Sequence, residues 1–337
     1  MKVSYISLLV GSLLVGSAMV ANAGKCPVTL PAEGNPAEDN GKVDNGTTTG
    51  NSTETVPATG RELYGLNYNV RKADGNCPSL EEVKADLATL STVSKNFRIY
   101  SLVDCNQGEL MLQAVQDTDY KVVLGIWVGS APEPVATEMA QLETLAQNYG
   151  DQINKYVKGL VVGSEAVYRE DVTQDVLIGY INQARTILRN HQHDTSVSAA
   201  ETYDKWNGGL VDAVDYVTMN AFPFWENKTI DEAKSVFFEH FQMVSGMANG
   251  KTVVTGETGW PSEGGNYGPG VPSLDNMKRY LGEFACEAKK LNMEYYWFSG
   301  FDEPWKHDEH SIGVETHWGL TLGDRKTWKI DGPFYEC

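Results

Sequence analysis

Two glutamates stand where short apolar runs stop. Glu257 closes "KTVVTGE" (251–257) and is followed at once by Thr258, Gly259, Trp260 and Pro261. Glu165 comes directly after Val161, Val162, Gly163 and Ser164 in "GLVVGSEAVYRED" (159–171). Two carboxylates facing across a cleft have few chemical uses. With a metal they would need further ligands. Without one they suit cleavage of a glycosidic bond, where one stays ionised to attack the anomeric carbon or activate water and the other is protonated to release the leaving sugar. Close like charges resist ionising together, which helps to separate the two pKa values. Either glutamate alone reads more simply as a solvated or salt-bridged loop acid. The matched pair is what favours chemistry.

For the pair to meet, the chain must bring positions 92 residues apart to one mouth. Eight candidate strands follow the start of the folded part: 63–69, 96–102, 121–127, 158–164, 195–201, 214–220, 251–257 and 294–300. Amphipathic stretches lie between most of them. "SLEEVKADLATLSTV" places Leu80, Val83, Leu87 and Leu90 on one helical face,. The connection between the fifth and sixth strands is short. Eight strands alternating with helices predict a single α/β domain, a (β/α)8 TIM barrel. An open doubly wound sheet is the alternative, but "GLNYNVRKADG" lacks the glycine-rich phosphate loop that usually follows its first strand,. In the barrel, chemistry sits at the carboxyl ends of the strands, and three βα units of about 30 residues each carry the chain from strand four to strand seven. Glu165 and Glu257 then face one bowl.

Other strand ends add groups suited to a sugar. The second runs into Tyr100 and Asp104, the sixth into Asn220, Phe222 and Trp225, and the eighth into Glu303, Trp305 and Lys306. Trp127, Trp206, Trp225, Trp260 and Trp305 all fall at or just beyond strand ends, whereas Trp297 is mid-strand and reads as core. Indoles lie well against the apolar C–H faces of sugar rings. A single tryptophan is more often packing, so the cluster carries the argument. His307, Asp308, Glu309 and His310 could suggest a metal loop, but His-x-x-His alone seldom binds one,. Neither a metal nor another cofactor is expected.

Residues 1–23 read as a secretory signal: Lys2, an apolar run to about Val20, then Ala21-Asn22-Ala23,. Gly11, Ser12, Gly16 and Ser17 interrupt the run, which is short for a membrane span,. Residues 24–60 are rich in Gly, Pro, Asn and Thr and are expected to be a disordered linker, leaving 61–337 as the catalytic domain,. A secreted protein, monomeric and free of the membrane once processed, is the expectation. Asn45, Asn51 and Asn227 open glycosylation acceptor patterns,. The net charge of −18 argues against nucleic acid and suits a neutral polymer,. Five cysteines, Cys26, Cys77, Cys105, Cys286 and Cys337, suit disulfides with one left over, and isolated Cys26 is the expected odd one; their pairing stays open,.

Taken together, "VVTGETGWPSEGG", "LVVGSEAVYRED", "FRIYSLVDCN", "MNAFPFW" and "FDEPWK…ETHWGL" closely resemble the fungal glucan endo-1,3-beta-glucosidases of glycoside hydrolase family 17, in particular the yeast cell-wall glucanase and 1,3-beta-glucanosyltransferase branch. The resemblance covers about 62–330. It implies a retaining mechanism on β-1,3-glucan, with Glu257 as nucleophile, Glu165 as acid/base, and Glu303 and Lys306 as a supporting polar pair. Ser164 departs from the wider barrel clan, where Asn at this place contacts the sugar 2-hydroxyl; the yeast-like branch also tends to carry Ser. Two other expectations compete: a non-catalytic carbohydrate-binding wall protein on the same barrel, whose usual mark would be loss of one glutamate, and a related barrel hydrolase acting on mannan or cellulose.

Overall fold

The computed structural model describes residues 59–308 and 310–337. The expected signal, nearly all of the expected linker, Cys26, Asn45 and Asn51 lie outside the described residues. Eight parallel strands close into a barrel: β1 Leu66–Asn67, β2 Asn96–Arg98, β3 Lys121–Ile126, β4 Val157–Ser164, β5 Val197–Thr202, β6 Val217–Asn220, β7 Val253–Thr258 and β8 Tyr295–Trp297. Leu66 of β1 pairs with both Phe97 of β2 and Trp297 of β8, which completes the ring. β3 and β7 are buried along almost their whole lengths. That is why β3 reads as an unbroken apolar run and neither strand alternates apolar with polar residues,.

Helices wrap the outside: α1 Leu80–Leu90, α2 Gln107–Ala114, α3 Pro132–Asn148, α4 Gly150–Tyr156, α5 Gln174–Asn190, α6 Gly208–Ala213, α7 Ile230–Met247 and α8 Leu274–Lys290. α1 starts where Ser79 and Glu82 form a reciprocal capping box, and it buries Val83, Leu87 and Leu90,. The short link between the fifth and sixth strands is the six-residue α6. After β8, bridges join Phe301 to Thr321 and Thr321 to Trp328. Inside the barrel, Val123, Val161, Ala200, Val254 and Tyr296 form their own small cluster, separate from the larger core under the helices. A cavity of about 190 Å³ beside this cluster reaches Arg98 and is lined by Lys158, Ser196, Thr252 and Glu294 toward the amino ends of the strands.

One boundary shifts. Thr59 and Gly60, expected at the end of the linker, pair antiparallel with Glu336 and Tyr335. The C-terminal tail offers them a backbone partner because the Cys286–Cys337 disulfide ties that tail to α8. The second disulfide, Cys77–Cys105, joins the loops that follow β1 and β2. Among the described residues, no helix is long and apolar enough to cross a membrane.

Candidate active site

At the carboxyl ends of the strands, Asn220 stands between the two glutamates. Its amide nitrogen lies 3.0 Å from Glu165 Oε1 and 3.0 Å from Glu257 Oε1. Those two oxygens are therefore at most two such bonds apart. Inverting glycosidases hold their carboxyls ~6.5–9.5 Å apart to admit a water, whereas retaining ones use ~5–5.5 Å.

Local backbone features make this meeting possible. Asn220 pairs in register with Glu257, just after an irregularity in the β6–β7 ladder. Such irregularities re-aim side chains at barrel rims. Gly256 leaves the room: a Cβ there would come within 2.6 Å of Asn220 Oδ1 and of Thr218 Cγ2. On β4, Gly163 has φ +77° and Glu165 itself has φ +59°. A left-handed glutamate costs ~1–3 kcal/mol and persists only where its surroundings hold it. Here the Glu165 N–H donates to Ala200 O at 2.7 Å, and Glu165 O accepts from Arg169 N–H at 2.9 Å.

Glu257 is buried and its Oε1 collects three donors. Arg98 Nη1 reaches it at 2.8 Å, the Ser164 hydroxyl at 2.8 Å and Asn220 at 3.0 Å. Arg98 is itself buried, with Nη1 also on Asn67 Oδ1 and Nη2 on the Ser164 hydroxyl. A buried charge needs a hydrogen-bonded counter-charge, and the guanidinium supplies one. Ser164 thus accepts from Arg98 and passes its own proton toward Glu257. Glu165 differs. Burial first, then the negative charge of Glu257, pushes its pKa up to about 7, against the opposing pull of Asn220 and Arg169. One carboxyl can keep its proton near neutrality beside a partner matched to a cation.

The rim supplies polar and aromatic groups. The Tyr100 hydroxyl has no protein partner, and its pKa is raised by burial and then by the charge of Glu257, so the phenol remains a donor. Glu303 pairs with Lys306 at 2.6 Å through Oε2, while its Oε1 is buried without a partner. The same holds for Trp305 Nε1 and Asn220 Oδ1. Phe222 and Trp225 are half-buried and both pack on Trp318.

The sequence pattern of the BtgE/BtgC glycoside hydrolase domain matches residues 65–319. The chain belongs to that family. It is 34% identical over 266 residues to a putative glucan endo-1,3-beta-glucosidase, btgC, of Aspergillus niger, covering 72% of this chain and 38% of that one. It thus spans well under half of that relative's length. It is 30% identical over 288 residues to a glucan 1,3-beta-glucosidase of Saccharomyces cerevisiae, covering 80% and 91% of the two chains. Among solved structures it is similar to an active-site mutant of Rhizomucor miehei beta-1,3-glucanosyltransferase in complex with laminaritriose, with 36% identity and a TM-score of 0.73 over 79% of this chain and 96% of that one.

Not every strand-end residue of the chain reaches the mouth. Trp260 is fully buried, with its indole N–H donating to Val271 O and its ring against Phe224 and Tyr280. It has no face to offer a sugar, and its expected contact role is withdrawn. Trp206 is also buried, whereas Trp127 is 40% exposed with the Arg169 guanidinium over its ring. Asp104 is spent on an ion pair with Arg71. Sequence reasoning missed Arg98 and Asn67. The available signal was an arginine inside the apolar run "NFRIYSL", since a charge in a barrel strand must be answered by an opposite one,.

Proposed function

We propose that this chain cleaves and remodels β-1,3-glucan by double displacement, with Glu257 as nucleophile and Glu165 as acid/base. The observation that carries the reading is the single Asn220 nitrogen within hydrogen-bond reach of both carboxyls. In the first step Glu257 Oε2, which carries none of the three bonds on Oε1, attacks the anomeric carbon. The bond to the leaving glucan breaks, and Glu165 gives its proton to the departing oxygen. In the second, the acceptor oxygen attacks the glycosyl-enzyme, Glu165 takes the acceptor's proton and Glu257 departs as carboxylate. Water as acceptor gives hydrolysis; a glucan hydroxyl gives transfer. Similarity to a glucanosyltransferase at 36% identity favours transfer.

The unpartnered Tyr100, Glu303, Trp305 and Asn220 atoms suit sugar hydroxyls, and Phe222 and Trp225 suit ring faces,. One chain provides every group, so a monomer suffices. Two disulfides fit an oxidising compartment, in keeping with export to the medium or wall,. Sizing the products of an end-labelled β-1,3-oligosaccharide tests the reading. Longer products establish transfer, shorter ones alone hydrolysis, and unchanged substrate would refute the proposal.

A further inference from the structure

Glu201, the penultimate residue of β5, is completely buried. Its Oε1 accepts the N–H of Val167 at 2.8 Å and its Oε2 the N–H of Tyr168 at 3.1 Å. Those amides belong to the tight turn that begins at Glu165. The neighbouring Ala200 O accepts the Glu165 N–H itself. The end of β5 therefore grips the backbone on both sides of a glutamate held at φ +59°. Burying a carboxylate to hold two loop amides is costly where neutral turn chemistry would serve. Chelation of successive amides fixes the direction in which the intervening residues point.

We infer that Glu201 is the positioning residue of the acid/base: by clamping the Val167 and Tyr168 amides it holds the Glu165 carboxyl at the glycosidic oxygen. This rests on the assignment of Glu165 as acid/base. It predicts a defect confined to proton transfer. Glu201→Gln keeps size and one acceptor oxygen but turns an N–H2 group toward a backbone N–H, so one clamp bond is lost. Glu201→Asp keeps the charge but withdraws it by one methylene.

The test compares β-1,3-glucosides with poor and with good leaving groups, at rates counted per active site by trapping the glycosyl-enzyme with a fluorinated sugar. Counting in this way removes any loss of folded protein. In Glu201→Gln, kcat for the poor leaving group should fall about 10- to 100-fold while that for the good one stays within about threefold, with KM unchanged. Glu201→Asp should fall between the two. Glu165 is faced by Glu257 on β7, Arg169 in its own turn, Tyr100 beyond β2 and Glu201 on β5. Removing the Glu201 charge should also move the basic limb of activity to lower pH. Equal losses with both leaving groups, or none, would overturn the inference. Glu165→Gln on the same substrates separates the two ideas: if it shows no leaving-group dependence the acid/base assignment fails, and if it alone shows one, only the role of Glu201 fails.

Discussion

Arg98 and Glu257 pair at 2.8 Å between the second and seventh strands, with both side chains out of bulk solvent. Removing one partner of such a pair strands the other and costs about 3–5 kcal/mol. Arg98→Met should therefore lower both the melting temperature and kcat/KM, the latter by at least about 100-fold. Arg98→Lys should recover less than full activity, because one ammonium cannot span Asn67, Ser164 and Glu257. Kinetics and thermal unfolding on the two variants check this.

The glutamates should separate by leaving group. Glu257→Gln is expected to abolish turnover of every substrate, whereas Glu165→Gln should retain activity on activated aryl glycosides. As the proposed acid, Glu165 must carry its proton, and with burial and the Glu257 charge pushing its pKa up to about 7, kcat/KM should fall as pH rises through that value,. A basic limb several units higher would contradict the assignment.

Stability should run the other way from that of most neutral-pH proteins. Glu138 of α3 is buried beneath the loop after β2, where it accepts from Leu102 N–H at 2.7 Å and from the Ser101 hydroxyl. Burial raises its pKa from 4.5 to about 7 against those hydrogen bonds. The folded state then holds a proton that the unfolded state releases, so its contribution is intact below about pH 4.5 and is lost as pH rises to about 7, up to ~3 kcal/mol,. Burial also raises Glu201, Asp86 and Asp302. Melting temperature should decline across that window, and Glu138→Gln should flatten the decline.

Trp260 and Trp225 should separate packing from binding. Trp260→Ala empties a fully buried site and should cost about 3–5 kcal/mol of stability,. Trp225→Ala, on the half-buried rim, should instead raise KM for glucan with little change in melting temperature.

The barrel, the order of its strands and the placement of both glutamates were legible because each rests on local signals: an apolar run, a stop, and a residue projecting from the stop. What local signals do not carry is direction. Trp260 and Trp225 both follow strand ends, yet Trp260 turns outward beneath α8 while Trp225 stays on the rim, a choice made by packing around Phe224 and Tyr280. Nor do they carry cross-strand partnership. Asn67, Arg98 and Ser164 belong to three strands, and nothing in any one strand announces the other two. The first, second, third and eighth strands also end sooner than their apolar runs: the eighth pairs only over Tyr295–Trp297, since Phe298 and Ser299 bond to Thr258 and Trp318 in irregular geometry.

The two disulfides divide the molecule's sensitivity to its redox surroundings. Cys77–Cys105, with the Arg71–Asp104 ion pair beside it and Arg71 approaching Trp305, staples two loops on the mouth side. Cys286–Cys337 closes the tail against α8. A mild thiol reductant should then produce two uncoupled losses, one read in glucan affinity and the other in resistance to proteolysis of the segment 331–337, each traceable to its own Cys→Ser pair.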